Sequence, residues 1–165
     1  MQSLKTGLKN RLNKAKKIAV LGVGSELRGD DSAGVVIARQ LENECLKNRS
    51  GQDLKVFIGD TAPENLTGEI KRFKPTHLII IDAAEMNEMA GVVKLIDSDH
   101  IAGFSSSTHT LPIKIFTDYL VKSIGCKIII IGIQPKKIQF NTGISKEVEK
   151  SVSHIVGAIK GATSL

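Results

Sequence analysis

A chain of 165 residues, 41% hydrophobic and 24% charged, has the size and composition of a soluble globular domain with a real core. No apolar run is long enough to span a bilayer, so no helical membrane anchor is expected. The net charge of +6 does not mark a nucleic-acid binder. Six of the 23 basic residues (Lys5, Lys9, Arg11, Lys14, Lys16 and Lys17) lie in residues 1–17 without an acid, and the rest of the chain has seventeen of each sign. With one Tyr, no Trp and five Phe, it also lacks the aromatic platform on which bases stack.

The basic segment carries Leu4, Leu8 and Leu12 at a spacing of four, the stripe of a short helix. Three leucines make a weak membrane anchor, so the expected role is packing on the domain with the lysines solvated. Residues 1–16 are read as a basic helical extension of one α/β domain spanning 1–165. The start has no apolar signal-peptide core, and the expected location is the cytoplasm. "KIAVLGVG" (17–24) predicts a buried strand. "SAGVVIARQLENECLKN" (32–48) has helical spacing through Val36, Ala38, Leu41 and Cys45. "LKVFIG" (54–59) predicts a second strand. "TAPENLTGEIKRF" predicts a helix with Thr61 and Glu64 at capping-box spacing and Pro63 in its first turn.

"THLIIIDAA" (76–84) is apolar without alternation, as a strand covered on both faces should be. "GVVKLID" (91–97) predicts a short edge strand, and "HIAGFSSSTH" a polar loop. "TLPIKIFTDYLVKSIG" predicts a helix with Thr110 as N-cap, "KIIIIGIQP" (127–135) a central strand, and "SKEVEKSVSHIVGAIKG" the last helix. This alternation implies a three-layer α/β/α sandwich around a twisted, mostly parallel sheet of about five strands. Cys45 and Cys126 are far apart with no CxxC, which argues for two free thiols.

In such a sheet, ligands sit at the carboxyl ends of the strands, beside the point where strand order reverses. Asp30 and Asp31 follow the first strand, Asp82 ends the third, and the loop carrying His109 reaches the same rim. The glycine turn "GVGSELRGDDSAG" (22–34) is not a dinucleotide fingerprint. Leu27 stands where the third glycine belongs, and acids crowd the turn. Carboxylates and an imidazole suit a first-row divalent cation instead. Each residue also has an ordinary structural role open to it: Asp31 as a helix N-cap, Asp82 as a turn former, His109 as a surface histidine. His77, His100 and His154 lack a comparable pattern. "SSSTH" (105–109) has no GxSxG elbow to mark an activated serine.

At this point the chain resembles the [NiFe]-hydrogenase maturation endopeptidases, peptidase family M52, from about Lys17 to the final helix. "GVGSELRGDDSAG" is similar to the family's GxGNxLxxDDGxG block, and "TAPEN", "IIIDAAE", "THTLP" and "GIQP" follow in order. "TAPEN" and "GIQP" resemble the hydrogenase 3 branch. Ser25 replaces the usual Asn and Ser32 the usual Gly. The family's acidic-glycine pair before "TA" is replaced by "IGD", with Ile58 first and Asp60 two later.

The resemblance implies a nickel-recognising triad of Asp31, Asp82 and His109. It also implies removal of the C-terminal extension of a hydrogenase large-subunit precursor after nickel insertion. The nickel would be brought by the substrate, with no resident cofactor, and hydrolysis would proceed through a metal-polarised carbonyl or a metal-bound water. A monomer, independent of nucleic acid and membrane, is expected. The competing reading is a non-proteolytic assembly chaperone that binds nickel or the precursor without cutting. A small-molecule hydrolase or nucleotide binder is weaker, because the first loop repels phosphate.

Overall fold

The computed structural model describes residues 3–48, 53–97, 105–106 and 113–163. Strands β1 (Ile18–Val23), β2 (Leu54–Asp60), β3 (His77–Glu85) and β6 (Lys127–Ile133) are parallel neighbours, and β4 (Val93–Asp97) closes one edge antiparallel to β6. The order is β2-β1-β3-β6-β4, with β1, β3 and β6 in the interior. These are the three strands whose unbroken apolar runs predicted central positions. A short strand, β5 (Ser105–Ser106), pairs antiparallel with the end of β3, within the stretch predicted as a loop. Two residues carry too little apolar pattern to announce a strand.

Successive side chains of a strand point to opposite faces, and β3 shows how this builds two cores. Ile79 and Ile81 enter the core shared with α1 (Leu4–Arg11), α2 (Ala33–Asn48) and α5 (Lys146–Thr163). Leu78 and Ile80 enter the other, under α3 (Thr67–Phe73) and α4 (Ile113–Ile124). All four are fully buried, each worth about 1.5–3 kcal/mol relative to exposure. The α/β/α sandwich is therefore as predicted. The leucine stripe of α1 packs on the domain: Leu8 and Leu12 are buried, and the helix lies against α5 and β4.

Two local expectations need correction. Asp60 extends β2 by a residue, and a bulge there pairs it with Val23. The segment 63–73 is a 3-10 turn, Pro63–Leu66, followed by α3, rather than one continuous helix. Ala62 occupies the N-cap position without a side-chain bond. Instead, the Thr67 hydroxyl donates to the Glu64 carbonyl at 2.5 Å where the two helical forms join. Thr110 lies outside the described residues. Among those residues, no helix is long and apolar enough to cross a membrane.

Candidate active site at the carboxyl end of the sheet

The glycines of the first motif serve close packing. A Cβ on Gly34 would collide with the carbonyl oxygens of Val23 and Ile81, and one on Gly22 would strike the Gly34 carbonyl and lie 2.5 Å from the Ala38 Cβ. The start of α2 is therefore pressed against the carboxyl ends of β1 and β3, closer than any side chain allows. Gly24 has φ +136°, a value L residues rarely adopt, and a Cβ there would overlap the Asp31 carbonyl. Glycine at these three positions lets the turn fold back so that Asp31 stands over the end of β1.

Asp30 and Asp31 sit in a 3-10 turn, Gly29–Ser32, and both are buried. Their surroundings differ. Asp30 Oδ2 accepts the Lys136 N–H at 2.8 Å, the Lys137 N–H at 3.0 Å and the Ser145 hydroxyl at 2.9 Å, while Oδ1 accepts the Ser145 N–H at 2.6 Å. Backbone bonds from Gly29 N–H to Thr142 O, Asp30 N–H to Lys137 O, and Asn141 N–H to Leu27 O complete this junction. Asp30 is thus a clamp between the first loop and the β6–α5 loop. Asp31 turns the other way, and its Oδ2 accepts the Ser25 N–H at 3.0 Å. That bond reaches back into its own loop. Ser25, where the family motif has Asn, offers the bond from its backbone.

Asp82 lies on β3 opposite Gly132 of β6 and is fully buried. One strand over, Gly22 pairs with Ile81, so the ends of β1 and β3 carrying the aspartate turn and Asp82 are direct neighbours. The turn holding Asp31 touches β3. Beyond Asp82, Ala84 and Glu85 pair with Ser106 and Ser105 of β5. His109 and His100 lie outside the described residues. Among the described residues, no three His, Cys, Asp or Glu side chains form a metal-holding cluster.

One residue of the rim escaped the sequence reading. Gln134 is buried, and its Oε1 accepts the N–H groups of Met86 at 2.7 Å and Glu88 at 3.3 Å, while its Nε2 donates to Glu85 Oε1 at 2.9 Å. It ties the β3–β4 loop to the end of β6. The only signal was its place in "GIQP", directly after a central strand. Asp60 lies at the same end, with φ +45° and an exposed side chain, and its carbonyl accepts the Gly24 N–H at 2.9 Å. Glu26 is held by Arg39 through bonds of 2.8 and 3.3 Å, which raises the Arg39 pKa.

The remaining candidates lie elsewhere. His77 begins β3 at the opposite end and is buried there. Cys45 and Cys126 are free, and burial pushes the Cys126 thiol up to about 11, which leaves it inert as a nucleophile.

The comparisons bear on this geometry. A family model described as HycI, hydrogenase maturation protease, matches residues 35–162, a span that includes Asp82 and His109 and begins just past Asp31. A putative hydrogenase maturation protease of Methanocaldococcus jannaschii is 39% identical over 159 residues, covering 94% of this chain and 94% of that one. The hydrogenase 3 maturation protease of Escherichia coli K12 is 33% identical over 143 residues, covering 86% and 88%. The crystal structure of a [NiFe] hydrogenase maturation protease HycI from Thermococcus kodakarensis KOD1 superposes with a TM-score of 0.86 at 26% identity, over 96% of this chain and 99% of that one. With the aspartate turn, the strand-end aspartate and the sheet order already in hand, these matches establish that the chain belongs to the hydrogenase maturation protease family.

Proposed function

We propose that the protein is the endopeptidase that removes the C-terminal extension of a nickel-loaded [NiFe]-hydrogenase large-subunit precursor. Asp31, Asp82 and His109 engage the nickel that the substrate carries. The observation that carries this reading is the burial of Asp31 and Asp82 at the ends of two adjacent central strands, with α2 pressed between them through Gly34. Carboxylates buried away from water are costly unless a cation or hydrogen-bond donors compensate them. Two such groups at one rim, one in the turn after β1 and one on β3, fit a cation brought by the substrate.

The donor set also fits the chemistry. Two carboxylate oxygens and one imidazole nitrogen leave a first-row ion with open positions, as a hydrolytic rather than structural centre requires. His109 follows Ser106 by three residues, a stretch that spans at most about 11 Å of chain. Because Ser106 pairs with Ala84, two residues past Asp82, this reach supports His109 as the third member. Nickel held there would polarise the scissile carbonyl of the precursor. The protein's own part is to hold the carboxylates rigid, Asp31 by the Ser25 N–H and Asp82 by its place in the sheet.

The test is incubation with a nickel-loaded precursor, followed by mass spectrometry. Loss of the C-terminal extension is expected with the nickel-loaded form and not with the nickel-free form. Asp31→Asn and Asp82→Asn proteins should fold and cut at background rate, because a neutral amide is a poor ligand. A folded Asp31→Asn protein that still trims the precursor would refute the site. Stable complex formation by the wild type without any cleavage would instead establish a chaperone.

A further inference from the structure

Large apolar side chains exposed on this protein are not scattered evenly. Among the described residues, three of them stand on loops that leave the carboxyl ends of the central strands. Leu27 follows β1 at 60% exposure, Met89 follows β3 at 79%, and Phe140 follows β6 at 69%. This is the end of the sheet that holds Asp31 and Asp82. Isolated exposed hydrophobics are common, but three around one rim are a different observation.

The loops that carry them are tied down. Asn141 N–H donates to the Leu27 carbonyl at 2.8 Å, and the Asp30 clamp fixes the same two loops a few residues away. The Met89 loop is held by Gln134, by a Gly91 N–H to Gln134 carbonyl bond of 2.8 Å, and by a Val92 N–H to Met89 carbonyl bond of 3.0 Å. A backbone ordered in advance spares a partner the entropy of ordering it, and rigid apolar anchors are what interface hot spots are made of.

Cations stand beside two of the anchors, Arg28 next to Leu27 and Lys137 three residues before Phe140. Two acids on these loops are ion-paired within the chain, Glu26 with Arg39 and Glu88 with Lys94, while Glu85 accepts from the neutral Gln134 amide. None of the ion pairs among the described residues involves Arg28 or Lys137. Leu27 and Phe140 therefore stand beside cationic groups, a surface complementary to an apolar patch edged with acids.

We infer that Leu27, Met89 and Phe140, flanked by Arg28 and Lys137, form the collar on which the folded body of the protein substrate docks. The collar orients the precursor so that its metal faces Asp31 and Asp82. The occupant is a polypeptide surface with apolar residues ringed by Asp and Glu. The inference rests on the proposed processing reaction for its substrate, and is separable from it by experiment.

The test uses the full chain and the nickel-loaded large-subunit precursor. In a Leu27→Ser/Met89→Ser/Phe140→Ser protein, KM should rise at least 10-fold while kcat changes little, because docking precedes the chemistry. Circular dichroism should match the wild type, since all three side chains face solvent. Arg28→Glu/Lys137→Glu should raise KM and flatten its dependence on salt. Ile115→Ser/Tyr119→Ser, an exposed apolar pair on α4, should leave KM unchanged.

A wild-type KM for the triple variant, or an equal rise from the α4 pair, overturns the collar. Asp31→Asn should fail to cut the precursor, and adding the triple substitution to it should weaken precursor binding at least a further 10-fold. If Asp31→Asn cuts, the catalytic assignment falls while the collar is still judged by KM. If the wild type neither binds nor cuts the precursor, both fall.

Discussion

The two ends of the central sheet both bury ionisable side chains, and they do so in opposite ways. At the amino end, His77 is buried beside the positive charge of Lys127, and its Nδ1 shares a 3.0 Å hydrogen bond with Thr76 Oγ1. Burial first and Lys127 second press its pKa down, which favours the neutral ring. At the carboxyl end, three aspartates from two separate stretches of chain are buried within one layer. A neutral imidazole at a strand start is a packing unit with a polar edge. Carboxylates gathered from non-adjacent segments keep their charge only with compensation, and that separates a candidate site from a buried polar residue.

Within the carboxyl end the contrast repeats between neighbours, and it yields the largest expected effects. Replacing Asp31 or Asp82 by Asn should remove processing and leave the fold. Gly34→Ala should instead cost stability, because its methyl group meets the Val23 and Ile81 carbonyls, which cannot move without breaking the sheet. A loss of about 3 kcal/mol or more is expected from this overpacking, read as the midpoint shift in urea unfolding. Gly157→Ala, in the interior of α5 with open space around it, should instead stabilise by about 1 kcal/mol. A Gly34→Ala protein as stable as the wild type would mean that α2 does not press on the strand ends, and the geometry behind Asp31 would fail with it.

The next effect separates Asp30 from Asp31. Asp30 accepts four hydrogen bonds across both carboxylate oxygens. In Asp30→Asn one of those acceptors becomes an NH2 group facing an N–H. Bonds to a charged acceptor are worth about 1.5–3 kcal/mol each, so a loss of roughly 2–3 kcal/mol is expected. At a temperature where the variant is folded, the cleavage rate per folded molecule should stay within about 10-fold of the wild type, in keeping with a supporting rather than a ligating role. Complete loss of cleavage in a stably folded Asp30→Asn protein would erase the distinction between the two aspartates.

That distinction marks the limit of what the amino-acid order discloses. The central strands were legible because "LGVG", "LIII" and "KIIIIGI" lack alternation, and sheet order then brought Asp31 and Asp82 to neighbouring ends. The helices were legible from their periodicity. Which of two adjacent aspartates is the clamp was not, since the partners of Asp30 lie more than a hundred residues away in a loop without periodic pattern. Gln134 and β5 escaped for the same reason: both are defined by contacts across the sheet. The glycines of the first motif raised the possibility of phosphate, whereas Gly22 and Gly34 answer to helix–strand contact. The Thr61–Glu64 spacing met the rule for a capping box, but the chain takes a 3-10 turn there before α3 begins.

The smallest effect tests the amino end. His77 has an ordinary pKa of 6.5 that the fold lowers. Below pH 6.5 the unfolded chain therefore takes up a proton that the folded chain declines. Its contribution to stability is fully present above that pH and is lost as pH falls from 6.5 toward the lowered folded value. The loss approaches about 1.4 kcal/mol per pH unit at most. His77→Leu removes the titration and strands little, because Nε2 is buried without a hydrogen-bond partner and Thr76 Oγ1 keeps its bonds to Lys16, Lys17 and the Lys17 carbonyl. Urea unfolding at pH 7.5 and 5.5 should show a smaller drop for His77→Leu than for the wild type, with precursor cleavage equal at pH 7.5. Equal drops in the two proteins would mean that His77 is charged in the folded state, and the opposition between the two ends of the sheet would no longer hold.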